Sequence, residues 1–204
     1  MAGMKAIRNI TEDEMIAVFL RGEFASERFG GAIHEQLAHL EQPDTVATHP
    51  DITDAAQNKI RRDILSAARG YGQRTEVFGG FPRDVEWLEV ELTKAELARV
   101  KYIDYSYWTE LMGGSRLPKD AAAAIEAGTE IFGVSNDGFK RAARAVREGK
   151  QFPTMILAGE TTDNLVALEG HLRLTAYALA WDNVPETMKV IVGVSPHMGE
   201  WGLY

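Results

Sequence analysis

Glu169, Gly170, His171 and Arg173 bring a carboxylate, a bare backbone turn, an imidazole and a guanidinium into one short stretch. An apolar run, 165–168, precedes them, and Leu174, Thr175, Ala176 and Tyr177 follow. A strand that ends on Glu169, turns at Gly170 and opens a helix gathers all three polar side chains at a helix N-terminus. The first N–H groups of a helix have no intrahelical partner and favour phosphate. Gly170 lets a phosphate approach the backbone because no Cβ intrudes. Arg173 can hold two phosphate oxygens with its fork. His171 can donate to phosphate or move a proton. Glu169 can act as a general base or hold Mg²⁺ through one oxygen. Each has a structural alternative: a tight turn for Gly170, a polar cap for His171, and a mutual ion pair for Glu169 and Arg173.

Other residues can join such a site. Gly113 and Gly114 precede Ser115 and Arg116. Successive N–H groups in a glycine turn can form an anion nest, and Arg116 can reach the same phosphate from this upstream loop. The alternative is a helix C-cap followed by a surface arginine. Tyr102, Tyr105, Tyr107 and Trp108 can stack a base, although core packing is the favoured expectation. Lys140, Arg144 and Arg147 share a helix face that should be solvated, opposite Phe139, Ala143 and Val146. The same solvated setting is expected of Arg61 and Arg62. His197 lies just past the last strand, where it can close a pocket. His34 and His39 lack the spacing of a helical metal pair.

The elements that must position these groups follow from periodicity. Residues 1–80 are expected to form an N-terminal helical extension. Thr11 with Glu14 starts one helix. Phe29, Ile33, Leu37 and Leu40 mark a second, and Ile60, Ile64, Leu65 and Ala68 a third that starts near Asp54. Residues 42–53 are expected to be a connection. Residues 81–204 are expected to form an α+β domain, a small mixed sheet with flanking helices. Its strands are predicted at 87–92, 153–157, 164–169 and 189–194. Its helices start near Thr93, Asp104, Pro118, Ser135 or Asn136, and Gly170.

The chain has 204 residues, 45% hydrophobic and 25% charged, and no cysteine. Thiolate metal sites, disulfides and cysteine nucleophiles are therefore excluded. No run of about 20 apolar residues and no signal core is present, so no membrane partner and a cytoplasmic location are expected. A formal charge of −8 argues against broad attraction to nucleic acid or anionic lipid, but not against a small local anion site.

The strand, Glu169-Gly170-His171-Leu172-Arg173 and helix together resemble the ParB/sulfiredoxin-like superfamily, whose hallmark is a strand running into a Gly-x-x-Arg turn. The Ala- and Arg-rich helix ending at Glu148 and Gly149, the strand pair around 159–163 and the strand after Val184 and Pro185 also fit. The likeness spans roughly residues 87–194. It implies a bacterial-type nucleotide-binding protein, using ATP or another nucleotide with Mg²⁺. Gly170, His171, Arg173, Ser115 and Arg116 would bind the nucleotide, Glu169 and His171 would be catalytic, and Glu169 would hold the metal. The implied reaction is phosphoryl transfer to, or nucleotide hydrolysis for, a small hydroxylated molecule. In motif the chain stands nearest the free-serine kinase branch. Sulfiredoxin chemistry needs a cysteine in this turn and is excluded. A non-catalytic, ligand-gated interaction module is the main alternative. A DNA clamp of the partition type fits less well, because the chain is acidic and ten residues (204 − 194) follow Val194. The expected partners are the nucleotide and a small-molecule substrate, with homo-oligomer formation left open.

Overall fold

The structure is a computed structural model that describes residues 4–73 and 75–204, with Glu76 described through its backbone alone. The chain divides into two compact units: Ile10–Arg83, and the segment through Asn9 together with Asp84–Tyr204.

The unit Ile10–Arg83 is helical, with α1 (Glu12–Glu23), α2 (Gly30–His39), α3 (Thr45–Thr48) and α4 (Ala55–Arg69). Thr11 starts α1 through a capping box. Its hydroxyl accepts the Glu14 N–H at 3.2 Å, and the Glu14 carboxylate accepts the Thr11 N–H at 2.7 Å. Met15, Ile16, Phe19 and Leu20 then form a buried face. Asp54 caps α4 by accepting the N–H groups of Ala56 and Gln57, and Gly70 closes it in the left-handed region at φ 73°. The expected connection contains one short helical turn, α3.

Arg62 pairs with Asp13 at the surface, but Arg61 departs from expectation and is fully buried. It precedes Ile64 and Leu65 by three and four residues, so it shares their inward face. Its guanidinium donates to the carbonyls of Val46 (3.3 Å) and Asp51 (2.8 Å) and to the Asn58 side chain. The Val46 carbonyl belongs to the single turn α3 and the Asp51 carbonyl to irregular chain, and a buried carbonyl needs a donor. Burial lowers the Arg61 pKa from its ordinary value.

The other unit is mixed α+β, a five-stranded sheet with flanking helices. It contains β1 (Lys5–Ile10), β2 (Glu86–Thr93), α5 (Lys94–Leu97), α6 (Ser106–Leu111), α7 (Pro118–Glu126), α8 (Asp137–Arg147), β3 (Ile156–Thr161), β4 (Asn164–Glu169), α9 (His171–Leu179) and β5 (Thr187–Val194). The strand order is β1-β2-β5-β3-β4. β5 runs antiparallel to β2 and parallel to β3, and β4 returns antiparallel to β3. In β2, Val90 and Leu92 are buried, while Glu89 faces Arg8 (2.8 Å) and Lys189 (3.7 Å) across the strands. The central positions 190–193 of β5 are buried. α9 packs against both α7 and α8.

The helical expectation for residues 1–80 did not include β1. Residues 5–9 are all exposed, so no apolar alternation announces the strand. Its Lys5 and Arg8 suit an edge position, where charge discourages further pairing. β3 also starts later than predicted, at Ile156, because the Pro153 and Thr154 carbonyls are engaged by a side chain and not by the ladder.

Gly159 lies within β3, paired with Leu165 of β4 where the register shifts. A Cβ there would press on the Asn164 carbonyl oxygen and lie 2.8 Å from the Thr161 carbonyl oxygen. Backbone atoms cannot yield as a flexible side chain can. Gly159→Ala should lower stability by roughly 3 kcal/mol, read as a shifted midpoint in urea.

Candidate functional site

β4 is buried from Leu165 through Glu169. The chain then turns at Gly170, whose φ of 107° suits glycine alone. A Cβ at this position would lie 2.8 Å from Met155 Cγ, so packing imposes the same requirement. α9 starts at His171. Its first internal bond runs from the Leu174 N–H to the Gly170 carbonyl (2.8 Å), and no side chain caps this end. The N–H groups of His171, Leu172 and Arg173 therefore precede the first bonded turn.

Glu169 and Arg173 are 7% and 6% exposed. Arg173 Nη2 binds the Glu169 carboxylate. Arg173 Nη1 donates to the Pro153 and Thr154 carbonyls, at 2.8 Å each. A buried guanidinium needs this degree of satisfaction, because an unpaired charge in the interior is costly. The structural alternative for these two residues is thus the observed geometry: the guanidinium faces an interior carboxylate and two backbone carbonyls.

His171 is half-buried. Its ring stacks on Trp108 (centroids 5.6 Å apart, planes at 14°) and lies 6.1 Å from Tyr102. The Tyr102 hydroxyl and Thr175 Oγ1 share a 2.8 Å hydrogen bond, and Thr175 donates to the His171 carbonyl at 2.8 Å. Trp108 also meets Tyr107 and Phe139. Tyr102, Tyr107 and Trp108 are buried, and Tyr105 is exposed. These rings form a core wall behind His171.

Ser115 and Arg116 serve other partners. The Gly114 N–H bonds the Thr109 carbonyl (2.8 Å) and the Ser115 N–H the Met112 carbonyl (3.3 Å). The glycine turn thus closes the end of α6. Arg116 donates from Nε to the Tyr102 carbonyl and from Nη2 to the Tyr204 carbonyl, both at 2.8 Å. Burial lowers its pKa from the ordinary value, against the pull of Asp104.

His197 has a carboxylate partner. Asp84 accepts the Ser195 hydroxyl at 2.8 Å and lies 2.7 Å from His197 Nδ1. These bonds hold the Asp84 carboxyl below its ordinary 3.8. Hydrogen bonding to Asp84 raises His197 above its ordinary 6.5. Asp84 and Ser195 are 111 residues apart and were not singled out from sequence. The signal available was the pairing of β2 with β5, whose register sets Glu86 opposite Val194.

Among the described residues, no three His, Cys, Asp or Glu side chains gather to hold a metal ion. Among the same residues, no helix is long and apolar enough to cross a membrane. No protein-family model, curated protein or solved structure matches the chain.

Removing Arg173 leaves Glu169 buried without its counter-charge. Arg173→Ala should cost roughly 3–5 kcal/mol in urea unfolding, and the double change Glu169→Leu with Arg173→Met should recover only part of it, because the Pro153 and Thr154 carbonyls still lose their donor. The His197 pair makes stability depend on pH. A raised folded pKa means that the native state holds more protons than the unfolded one above 6.5. The contribution is complete below that value and disappears as pH rises through the folded pKa. Thermal melts of wild type and His197→Ala should differ most at mildly acidic pH and converge at alkaline pH.

Proposed function

We propose that the unit containing Asp84–Tyr204 is a ParB/sulfiredoxin-like nucleotide-binding module that holds phosphate at the start of α9 and does not transfer it. The fold supports this reading, with a buried strand, a positive-φ glycine and an uncapped helix in the order that the resemblance calls for. Phosphate would be met by the N–H groups of His171, Leu172 and Arg173 and by the His171 ring.

One observation separates binding from catalysis. The Glu169 carboxylate is buried against Arg173. A general base needs an accessible lone pair within reach of the acceptor hydroxyl. Glu169 has neither the exposure nor the freedom for that role or for holding Mg²⁺. In this reading Mg²⁺ arrives with the nucleotide's phosphates. Arg173 acts indirectly, by fixing where α9 begins.

Calorimetry of the full chain with ATP, ADP, CTP and GTP, each with Mg²⁺, tests the proposal. At least one should bind at or below millimolar concentration with no phosphate released on prolonged incubation. His171→Ala should weaken that binding severalfold while a thermal melt reports an intact fold. Silence with all the nucleotides, or steady turnover, would contradict the reading.

A further inference from the structure

Between α7 and α8 the chain exposes apolar surface where polar residues would serve folding better. Phe132 is 66% exposed and Val134 45%. The Phe132 backbone also sits in the left-handed region, at φ 53°. A bulky aromatic residue is disfavoured there, whereas glycine or asparagine is tolerated. The tip thus combines local strain with exposed hydrocarbon, and neither stabilises the unit.

α8 follows directly. Ala142, Ala143 and Val146 form its buried side. Lys140, Arg141 and Arg144 are exposed, and among the described residues none of the three has a carboxylate partner. Helical side chains lean toward their N-terminus. Arg141 does so, with Nη2 4.0 Å from the point where a Cβ on Gly138 would stand. Lys140 and Arg144, and Arg141 and Arg144, are spaced four and three residues apart, so the three cations are neighbours along the exposed side of α8, and Arg141 leans toward the end that carries the apolar tip and Asp137. The net charge of −8 does not cancel such a patch, because salt confines each charge's influence to about 8 Å.

We propose that residues 131–144 dock on an anionic lipid surface, with Phe132 and Val134 entering the headgroup–acyl boundary and Lys140, Arg141 and Arg144 meeting lipid phosphates. The combination selects the partner. Cations alone suit any polyanion, nucleic acid included. A phosphodiester backbone offers nothing to Val134, whereas a bilayer buries both apolar side chains. Hydrophobic insertion together with a basic patch makes two signals, the number that turns marginal attachment into stable attachment. No membrane-crossing helix is required, and this surface is independent of the nucleotide reading.

Co-sedimentation of the full chain with phosphatidylcholine vesicles, with and without phosphatidylserine, tests it. Binding should appear with phosphatidylserine and weaken as salt rises. Lys140→Glu with Arg144→Glu should reduce affinity by about tenfold or more. Phe132→Asn should also reduce binding, yet leave the melting temperature unchanged or higher, because asparagine accepts the left-handed backbone. The proposal is overturned if phosphatidylserine vesicles leave the protein in the supernatant. It is equally overturned if Phe132→Asn binds as well as the parent, or if the patch retains an oligonucleotide and ignores the vesicles.

Discussion

The buried ion pair between Glu169 and Arg173 is the contact that fixes the geometry around it. It joins the last residue of β4 to the first turn of α9. Through the Pro153 and Thr154 carbonyls it also holds the segment that enters β3. One guanidinium thereby ties the turn from β4 into α9 to a segment 19 and 20 residues upstream. Gly170 is the necessary companion, since any side chain there would meet both a strained backbone and the Met155 side chain. Such a pair gives little net stability compared with well-packed hydrocarbon, but losing one partner is costly. Its value lies in specifying a single position for the start of α9.

That position determines which chemistry the turn supports. The two charges of the pair neutralise each other inside the protein, so the start of α9 is left with backbone N–H groups, the helix dipole and the His171 ring. These groups favour an anion. They do not supply a base. The Asp84–His197 pair is a useful contrast. Both of its side chains are about half exposed, so water screens the interaction and protonation can switch it. Burial makes the first pair an architectural element, and exposure makes the second a titratable one.

Local pattern made much of this legible in the sequence. Thr11 with Glu14, Asp54 before α4 and Gly170 before α9 are short-range signals, and each occurs in the structure as the physics of helix ends requires. The alternation in β2 likewise marks a strand with one wet face. What escaped depends on contacts between distant residues. β1 has no apolar face, so only its partner β2 reveals it. Arg61 resembles a surface arginine by type, yet its partners are the carbonyls of Val46 and Asp51. The i, i+4 spacing of Glu169 and Arg173 allowed an ion pair without saying that it turns inward. That direction is set by carbonyls 19 and 20 residues upstream. Arg116 is drawn to the carbonyl of Tyr204, 88 residues away, which no local pattern announces.

Amide-resolved NMR during titration with ATP, and separately with pyrophosphate, tests the central claim most directly. An anion gripped by the helix start should move the backbone N–H signals of His171, Leu172 and Arg173 and leave the side-chain N–H of Arg173 unmoved, because that group stays bound inside the protein. A shift of the Arg173 side-chain signal as ligand is added, or no response from the first turn of α9, would contradict the account.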